Sequence, residues 1–312
     1  MTVADEPASA RGIGGISAFS AYVMWGFLPL YFIALAPTGP WEVVAWRILL
    51  SLVFCAILLT AARTWPRLRA VLRSPRLALW TVAAGLLIYV NWQVFVLATL
   101  TGHVIETSLG YFINPLFTVL LGVAILRERL RPAQWAAVAV AAVAVVVIVV
   151  GYGAFPWIAL ALTASFGLYG LVKKRIGPSV DAVSGLTLES LWLAPVAVVQ
   201  LTLVAMSTGI TLGAAGPAHA VVLLLAGVVT ATPLLFFAAG ARRVPLTLIG
   251  LLQFVTPILQ FAIGVWILQE PMPLERWIGF ALVWIALAVL SIDSVIAARG
   301  SRRTVADVAD LA

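Results

Sequence analysis

Charge is scarce in this chain: Asp, Glu, Lys and Arg together make up 10% of its 312 residues. Cysteine is scarcer still, since Cys55 stands alone, which excludes a disulfide within the chain and any cysteine-based metal site. Histidine is limited to His103 and His219. Polar stretches are short. The longest run from the N-terminus to Arg11, from Arg63 to Arg76, and from Arg299 to Ala312, and none suffices for a soluble catalytic domain. H-E-x-x-H, Walker A, G-x-S-x-G and paired-aspartate patterns are absent, so zinc proteolysis, ATP hydrolysis and serine hydrolysis lack their usual groups. No metal and no cofactor is expected.

Apolar residues fill the space that charge leaves. They make up 63% of the chain, with a mean hydropathy of +1.11, whereas soluble domains hold roughly 45–50% apolar and about 25% charged residues. The apolar residues fall into ten runs, approximately 12–35, 41–62, 77–99, 103–126, 132–151, 154–172, 183–206, 218–239, 246–268 and 274–297. Each approaches the roughly 20 residues that cross a hydrocarbon core of about 30 Å. The expected fold is therefore an all-α integral membrane protein with ten transmembrane helices. Ala34-Leu35-Ala36 resembles a signal-peptide cleavage site, but the run before it is long, its flank carries Asp5 and Glu6 beside Arg11, and nine more runs follow.

The basic residues follow topology. With residue 1 cytoplasmic, 17 of the 19 fall in cytoplasmic segments: Arg11; Arg63, Arg67, Arg69, Arg73 and Arg76; Arg127, Arg129 and Arg131; Lys173, Lys174 and Arg175; Arg242 and Arg243; Arg299, Arg302 and Arg303. Arg47 lies within a run and Arg276 outside. The net charge of +7 is then an orientation signal that puts both termini in the cytoplasm. It attracts anionic lipid rather than nucleic acid.

Sliding the sequence over itself by 142 residues sets "PLFTVLLGVAILRERLRPAQW" from Pro115 on "PILQFAIGVWILQEPMPLERW" from Pro257, with seven of 21 positions identical. Apolar composition explains the Val, Ile and Leu matches. It does not explain Pro115 with Pro257, Gly122 with Gly264, Glu128 with Glu270, or Trp135 with Trp277. Five spans per half is an odd number, so the second half enters the membrane inverted. The expected units are residues 12–151, residues 154–297, and a cytoplasmic tail of 298–312. Inverted repeats recur in secondary transporters, where broken helices meet substrate near the midplane.

Pro115 and Pro257 each remove a backbone donor and are the candidate helix breaks. Around Pro115, residues His103, Glu106, Thr107, Gly110, Asn114 and Thr118 share about one third of the helix circumference. Gln253, Thr256, Gln260 and Gly264 repeat the stripe around Pro257. Such a stripe either lines a cavity or packs against other helices. Arg47 has three readings: a ligand for a carboxylate or aromatic face, a structural charge paired with Glu42 or Glu106, or an outward-reaching side chain. His103 and Glu106, one turn apart, either carry a coupled proton or form an interfacial pair. Asn91 and Gln93 flank Trp92 and add polarity to the third run. Glu189 faces Lys173 or Lys174, and His219 has no evident partner. Trp41, Trp65, Trp80, Trp135, Trp157 and Trp277 mark span ends, where the interface favours indole rings. Trp25, Trp46 and Trp92 lie deeper.

Six segments carry a family resemblance: "SAYVMWGFLPLYF", "EVVAWRILLSLVF", "NWQVFVLA", "GHVIETSLGYFINPLFTVLLGVAILRERL", "GLYGLVKKR" and "GLLQFVTPILQFAIGVWILQE". Together they resemble the EamA branch of the drug/metabolite transporter superfamily, and within it the RarD-type permeases described as chloramphenicol-sensitive proteins. One departure is Trp46 before Arg47, where many such proteins have His. The resemblance implies an inner-membrane carrier of two inverted five-helix repeats working by alternating access. It does not imply a cargo.

The expected function is secondary-active transport, with export as the direction, of a small, mostly neutral or amphipathic metabolite, and of drugs such as chloramphenicol. Candidate substrate residues are Trp25, Arg47, Asn91, Trp92, Tyr111, Asn114, Gln253, Thr256 and Gln260. Glu42, His103 and Glu106 are candidates for coupling or gating. The partners are a small-molecule substrate and the lipid bilayer, with a homodimer left open. The rival reading is a membrane-embedded enzyme acting on lipid or prenyl substrates, which needs an acidic or histidine cluster at one membrane face; only His103 with Glu106 comes near it.

Overall fold

A computed structural model describes residues 8–126, 130–152, 155–241, 243–244 and 246–309. Among these residues there is helix and no strand. In chain order the helices are α1 (Ala8–Ile33), α2 (Pro40–Ala61), α3 (Trp65–Leu72), α4 (Pro75–Leu100), α5 (Val104–Leu126), α6 (Pro132–Tyr152) and α7 (Trp157–Ile176). They continue with α8 (Ala182–Ser207), α9 (Pro217–Leu224), α10 (Ala226–Ala241), α11 (Leu246–Leu252), α12 (Val255–Ala262), a π-helical segment Ile263–Ile267, and α13 (Leu274–Ala309).

Local sequence explains the boundaries. Pro40, Pro75 and Pro217 stand at helix starts, where a missing N–H costs nothing. Asp181 caps α8 by accepting the Ser184 N–H at 3.0 Å. Helix α4 is closed two residues past its end by Gly102, whose φ of +74° suits glycine; His103 N–H returns to the Ala98 carbonyl at 2.8 Å.

Eight stretches are long and apolar enough to cross a membrane: Gly12–Ile33, Pro40–Ala61, Pro75–Leu100, Val104–Ile125, Pro132–Val150, Ala182–Ser207, Pro217–Gly240 and Leu274–Asp293. The other two expected runs differ. The ninth is a shorter apolar helix, Val255–Ile267, behind a break at Gln253-Phe254. The sixth, α7, is less apolar because it carries Thr163, Ser165 and the Lys173-Lys174-Arg175 end. It packs against both α4 and α5, which cover Thr163 and Ser165. The eighth run is interrupted at Leu225. Helix α13 continues to Ala309, through most of the segment expected to be a separate tail.

The expected break at Pro115 is not there, because α5 runs unbroken through it. A hydroxyl from outside the helix meets the turn next to it: Thr163 Oγ1 of α7 stands 2.7 Å from the Gly110 carbonyl and 2.7 Å from the Ala159 carbonyl of its own helix, so its one proton is shared between the two. Gly110 permits that approach, since a Cβ there would stand 2.7 Å from the Ala159 carbonyl oxygen. Pro257 lies in the first turn of α12, and the chain opens at Gln253-Phe254, the residue four positions before the proline and its neighbour.

Other prominent pairings are α6 with α13, α2 with α8 and α10, α1 with α10 and α12, α5 with α12, and α4 with α8. Arg131 bridges to Asp293 at 2.6 Å beside the α6–α13 pair. One apolar core is shared by α1, α2, α4, α7, α8, α9 and α10; a second is shared by α5, α6, α12 and α13, with Ala159 of α7. Four of the six tryptophans expected at span ends, Trp41, Trp135, Trp157 and Trp277, have exposed side chains.

Candidate functional site

Arg47 projects from α2 into the first core and is 4% exposed. Its Nε donates to Thr230 Oγ1 on α10 at 2.9 Å. Its guanidinium lies over the Trp92 ring, 4.3 Å from the centroid, and 5.4 Å from that of Phe32. Neither expected carboxylate pairs with it. Glu42 instead accepts the Thr211 N–H at 2.9 Å and the Trp46 Nε1–H at 3.2 Å. Glu106 accepts the Ile158 N–H at the start of α7 at 3.1 Å. Both are drawn off by the unsatisfied backbone N–H groups of nearby chain turns.

Next to Trp92, Asn91 links three helices. Its Nδ2 donates to Ser165 Oγ at 3.2 Å and to the Leu162 carbonyl at 3.3 Å, while its Oδ1 accepts from the Tyr111 hydroxyl at 3.1 Å. Edge-on aromatic contacts run from Phe32 to Phe95, Tyr111 and Phe166, with successive centroids 6.0, 5.8 and 5.8 Å apart. The structure thus brings Arg47, Asn91, Trp92 and Tyr111 into one connected cluster where α2, α4, α5, α7 and α10 meet.

The remaining candidates lie elsewhere. Thr256 Oγ1 donates to the Tyr22 carbonyl at 2.8 Å, and Gln260 Nε2 to the Trp25 carbonyl at 3.3 Å, so α12 is fastened to α1. Trp25 packs with Tyr22 and Phe237. Gln260 Oε1 is buried without a partner. Gln253 is half-buried at the break. Asn114 is half-buried beside Gly167 of α7, and its Oδ1 has no partner. His103 is exposed and meets Thr101 Oγ1 at 3.1 Å rather than Glu106. His219, expected to have no partner, contacts Thr38 Oγ1 at 2.7 Å. Of the two lysines expected for Glu189, Lys173 binds it, at 2.8 Å.

The comparisons with known proteins fit this architecture. A family model described as the EamA-like transporter family matches residues 12–150. Protein RarD of Streptomyces exfoliatus is 44% identical over 300 residues, which is 93% of this chain and 91% of that one. The chain belongs to the EamA-like transporter family. An uncharacterized transporter of Vibrio cholerae is 38% identical over 96% of this chain and 98% of its own length. A solved structure described as "Crystal structure of protein" aligns with a TM-score of 0.57 at 19% identity, covering 89% of this chain and 97% of that one, a likeness of fold. As a RarD-type EamA permease, the chain is a multi-pass membrane protein of a bacterial transporter family, and its function is the transport of small molecules. Family membership and the relatives' names indicate a transporter rather than an enzyme.

Several partners in this EamA protein were not singled out from sequence. Thr230, Ser165 and Phe32 each sit in an apolar run with no periodic signal to separate them from packing residues. Gln93, noted only for its polarity, accepts from Gln200 Nε2 of α8 at 2.9 Å. Glu270 lies outside the spans, and its carboxylate accepts the N–H groups of Val104 and Ile105, at 2.6 and 2.9 Å, capping α5. Burial lifts the Glu270 carboxyl above the usual carboxylate range, against the pull of those two donors, His103 and Arg276. The repeat match of Glu270 with Glu128 was the available signal; Glu128 lies outside the described residues.

Proposed function

We propose that the chain is a secondary-active exporter of small metabolites, and of drugs such as chloramphenicol, in the inner membrane with both termini cytoplasmic. It alternates access between two inverted five-helix repeats, 12–151 and 154–297, around the Arg47–Trp92–Asn91–Tyr111 cluster. That buried polar and aromatic cluster carries the reading, because ionisable and amide groups inside a membrane bundle are costly unless they serve a path or a ligand.

The pattern of packing supports the repeats. Exchanging α1 with α7, α2 with α8, α4 with α10, α5 with α12 and α6 with α13 turns the α5–α7 contact into α12–α1, α4–α7 into α10–α1, and α2–α10 into α8–α4. The α6–α13, α2–α8 and α5–α12 contacts map onto themselves. A pseudo-two-fold axis between halves produces such a set.

Proteoliposomes carrying a panel of amino acids and chloramphenicol, with and without a pH gradient, test the reading. Gradient-dependent flux is expected, and Asn114→Leu should lower it by about tenfold or more while the protein stays in the membrane. Undiminished flux in that variant removes Asn114 from the cargo path. The absence of flux for every compound counts against the carrier itself.

A further inference from the structure

Arg47 is a buried cation without a counter-ion. Among the described residues the ion pairs are Arg131 with Asp293 and Lys173 with Glu189, and Arg47 belongs to neither. The two carboxylates nearest to it by sequence logic, Glu42 and Glu106, are committed to backbone N–H groups. Its Nη1 is buried and makes no hydrogen bond. A guanidinium withdrawn from water is strongly destabilised unless an opposite charge or a full set of acceptors replaces the lost hydration. Here the replacement is one hydroxyl, Thr230 Oγ1, and two ring faces.

The donors left over decide what the missing partner looks like. The guanidinium carbon lies 4.3 Å from the centroid of the Trp92 ring, a contact that supplies no lone-pair acceptor for its N–H groups. Nε is already taken by Thr230 and Nη1 has no acceptor, so the unpaired side is that of the terminal nitrogens, the fork that matches a carboxylate. One positive charge balances one negative charge. A dianion such as phosphate would bring a second, uncompensated charge among Phe32, Phe95, Trp92 and Tyr111, where desolvation is most costly.

Resting on the carrier reading above, we propose that the cargo bears a single carboxylate that pairs with the Arg47 fork, its apolar or aromatic body lying along the Phe32–Phe95–Tyr111 rings. This departs from the mostly neutral metabolite expected from the sequence, and it makes chloramphenicol, which has no carboxylate, a secondary cargo that leaves the Arg47 fork unpaired. Bound cargo would then supply the charge the protein withholds, so the occupied site is the electrostatically complete one.

The test uses the full-length protein in detergent and thermal unfolding as readout. 3-Phenylpropionate, N-acetylphenylalanine, N-acetylphenylalaninamide, sodium chloride and inorganic phosphate are compared at equal ionic strength. The two carboxylates should raise the unfolding midpoint in a concentration-dependent way, and the amide, chloride and phosphate should not. Arg47→Gln should abolish the carboxylate response, and Arg47→Lys should keep it, weakened about tenfold. Equal stabilisation by the amide, an equal effect of chloride or phosphate, or no response to either carboxylate up to saturating concentrations would overturn the proposal. The wild-type comparison of acid with amide decides the matter even if an Arg47 variant does not fold. Transport of the same compounds in proteoliposomes separates the two readings: movement of N-acetylphenylalaninamide with exclusion of both acids keeps the carrier and removes the carboxylate.

Discussion

Helix α5 and the α11–α12 segment carry the same signature 142 residues apart, with Pro115 in one and Pro257 in the other, yet one is continuous and the other is broken. The proline alone does not decide. In α5 the approach of α7 is close, because Gly110 offers no side chain and Thr163 donates to its carbonyl. At the matching place in the second half stands Leu252, which packs beside Ala18 of α1 and Ile249. In the second half the hydroxyl and amide that fasten the helix to its neighbour come after the break instead of before it: Thr256 Oγ1 donates to the Tyr22 carbonyl and Gln260 Nε2 to the Trp25 carbonyl. The helix then yields at Gln253-Phe254, where the proline withholds its donor. A proline in a membrane helix is thus a permission to open, granted or refused by the adjacent helix.

Four substitutions break or sharpen that contrast. The largest effect is expected from G110L, which copies the second half's residue into the first. A Cβ there already meets backbone, so α5 and α7 should separate, with a loss of about 1–3 kcal/mol. Thermal unfolding in detergent reads the loss, and an unchanged midpoint would show that the close approach does not matter. Next, P257A should join α11 to α12 and reduce transport about tenfold, an effect of about 1.4 kcal/mol on the barrier, whereas P115A should leave both α5 and transport nearly as they are. Amide exchange at residues 251–256 checks the joining, and equal loss of transport in the two variants would erase the difference between the halves. The smallest effect belongs to Thr163→Val, which removes one interhelical hydrogen bond worth about 0.6–1.7 kcal/mol. Its signature should be faster amide exchange confined to the turn before Pro115. Protection there equal to wild type would mean that Thr163 is not what holds the turn closed.

Much of the candidate site was legible as residue type and depth. Arg47, Asn91, Trp92 and Tyr111 stood out because ionisable, amide and indole groups are rare within apolar runs, and the fold joins them. What linear distance could not supply was their partners. Thr230 lies 183 residues from Arg47 and Ser165 lies 74 from Asn91. Glu42 and Glu106 were legible as buried charge but not as caps, because the N–H groups they satisfy belong to chain segments 169 and 52 residues away. Thr256 and Gln260 read as cavity residues, whereas each donates to an α1 carbonyl.

Composition and run length were enough to make this a helical membrane protein, since a backbone in lipid must satisfy its own hydrogen bonds and helices do so locally. The 142-residue echo was likewise a property of the chain itself. Which proline opens its helix, which carboxylate caps which turn, and that Arg47 is left without a counter-charge were decided by tertiary structure. Each depends on whether a neighbouring helix brings a hydroxyl, a glycine or an N–H within about 3 Å, the range of a hydrogen bond.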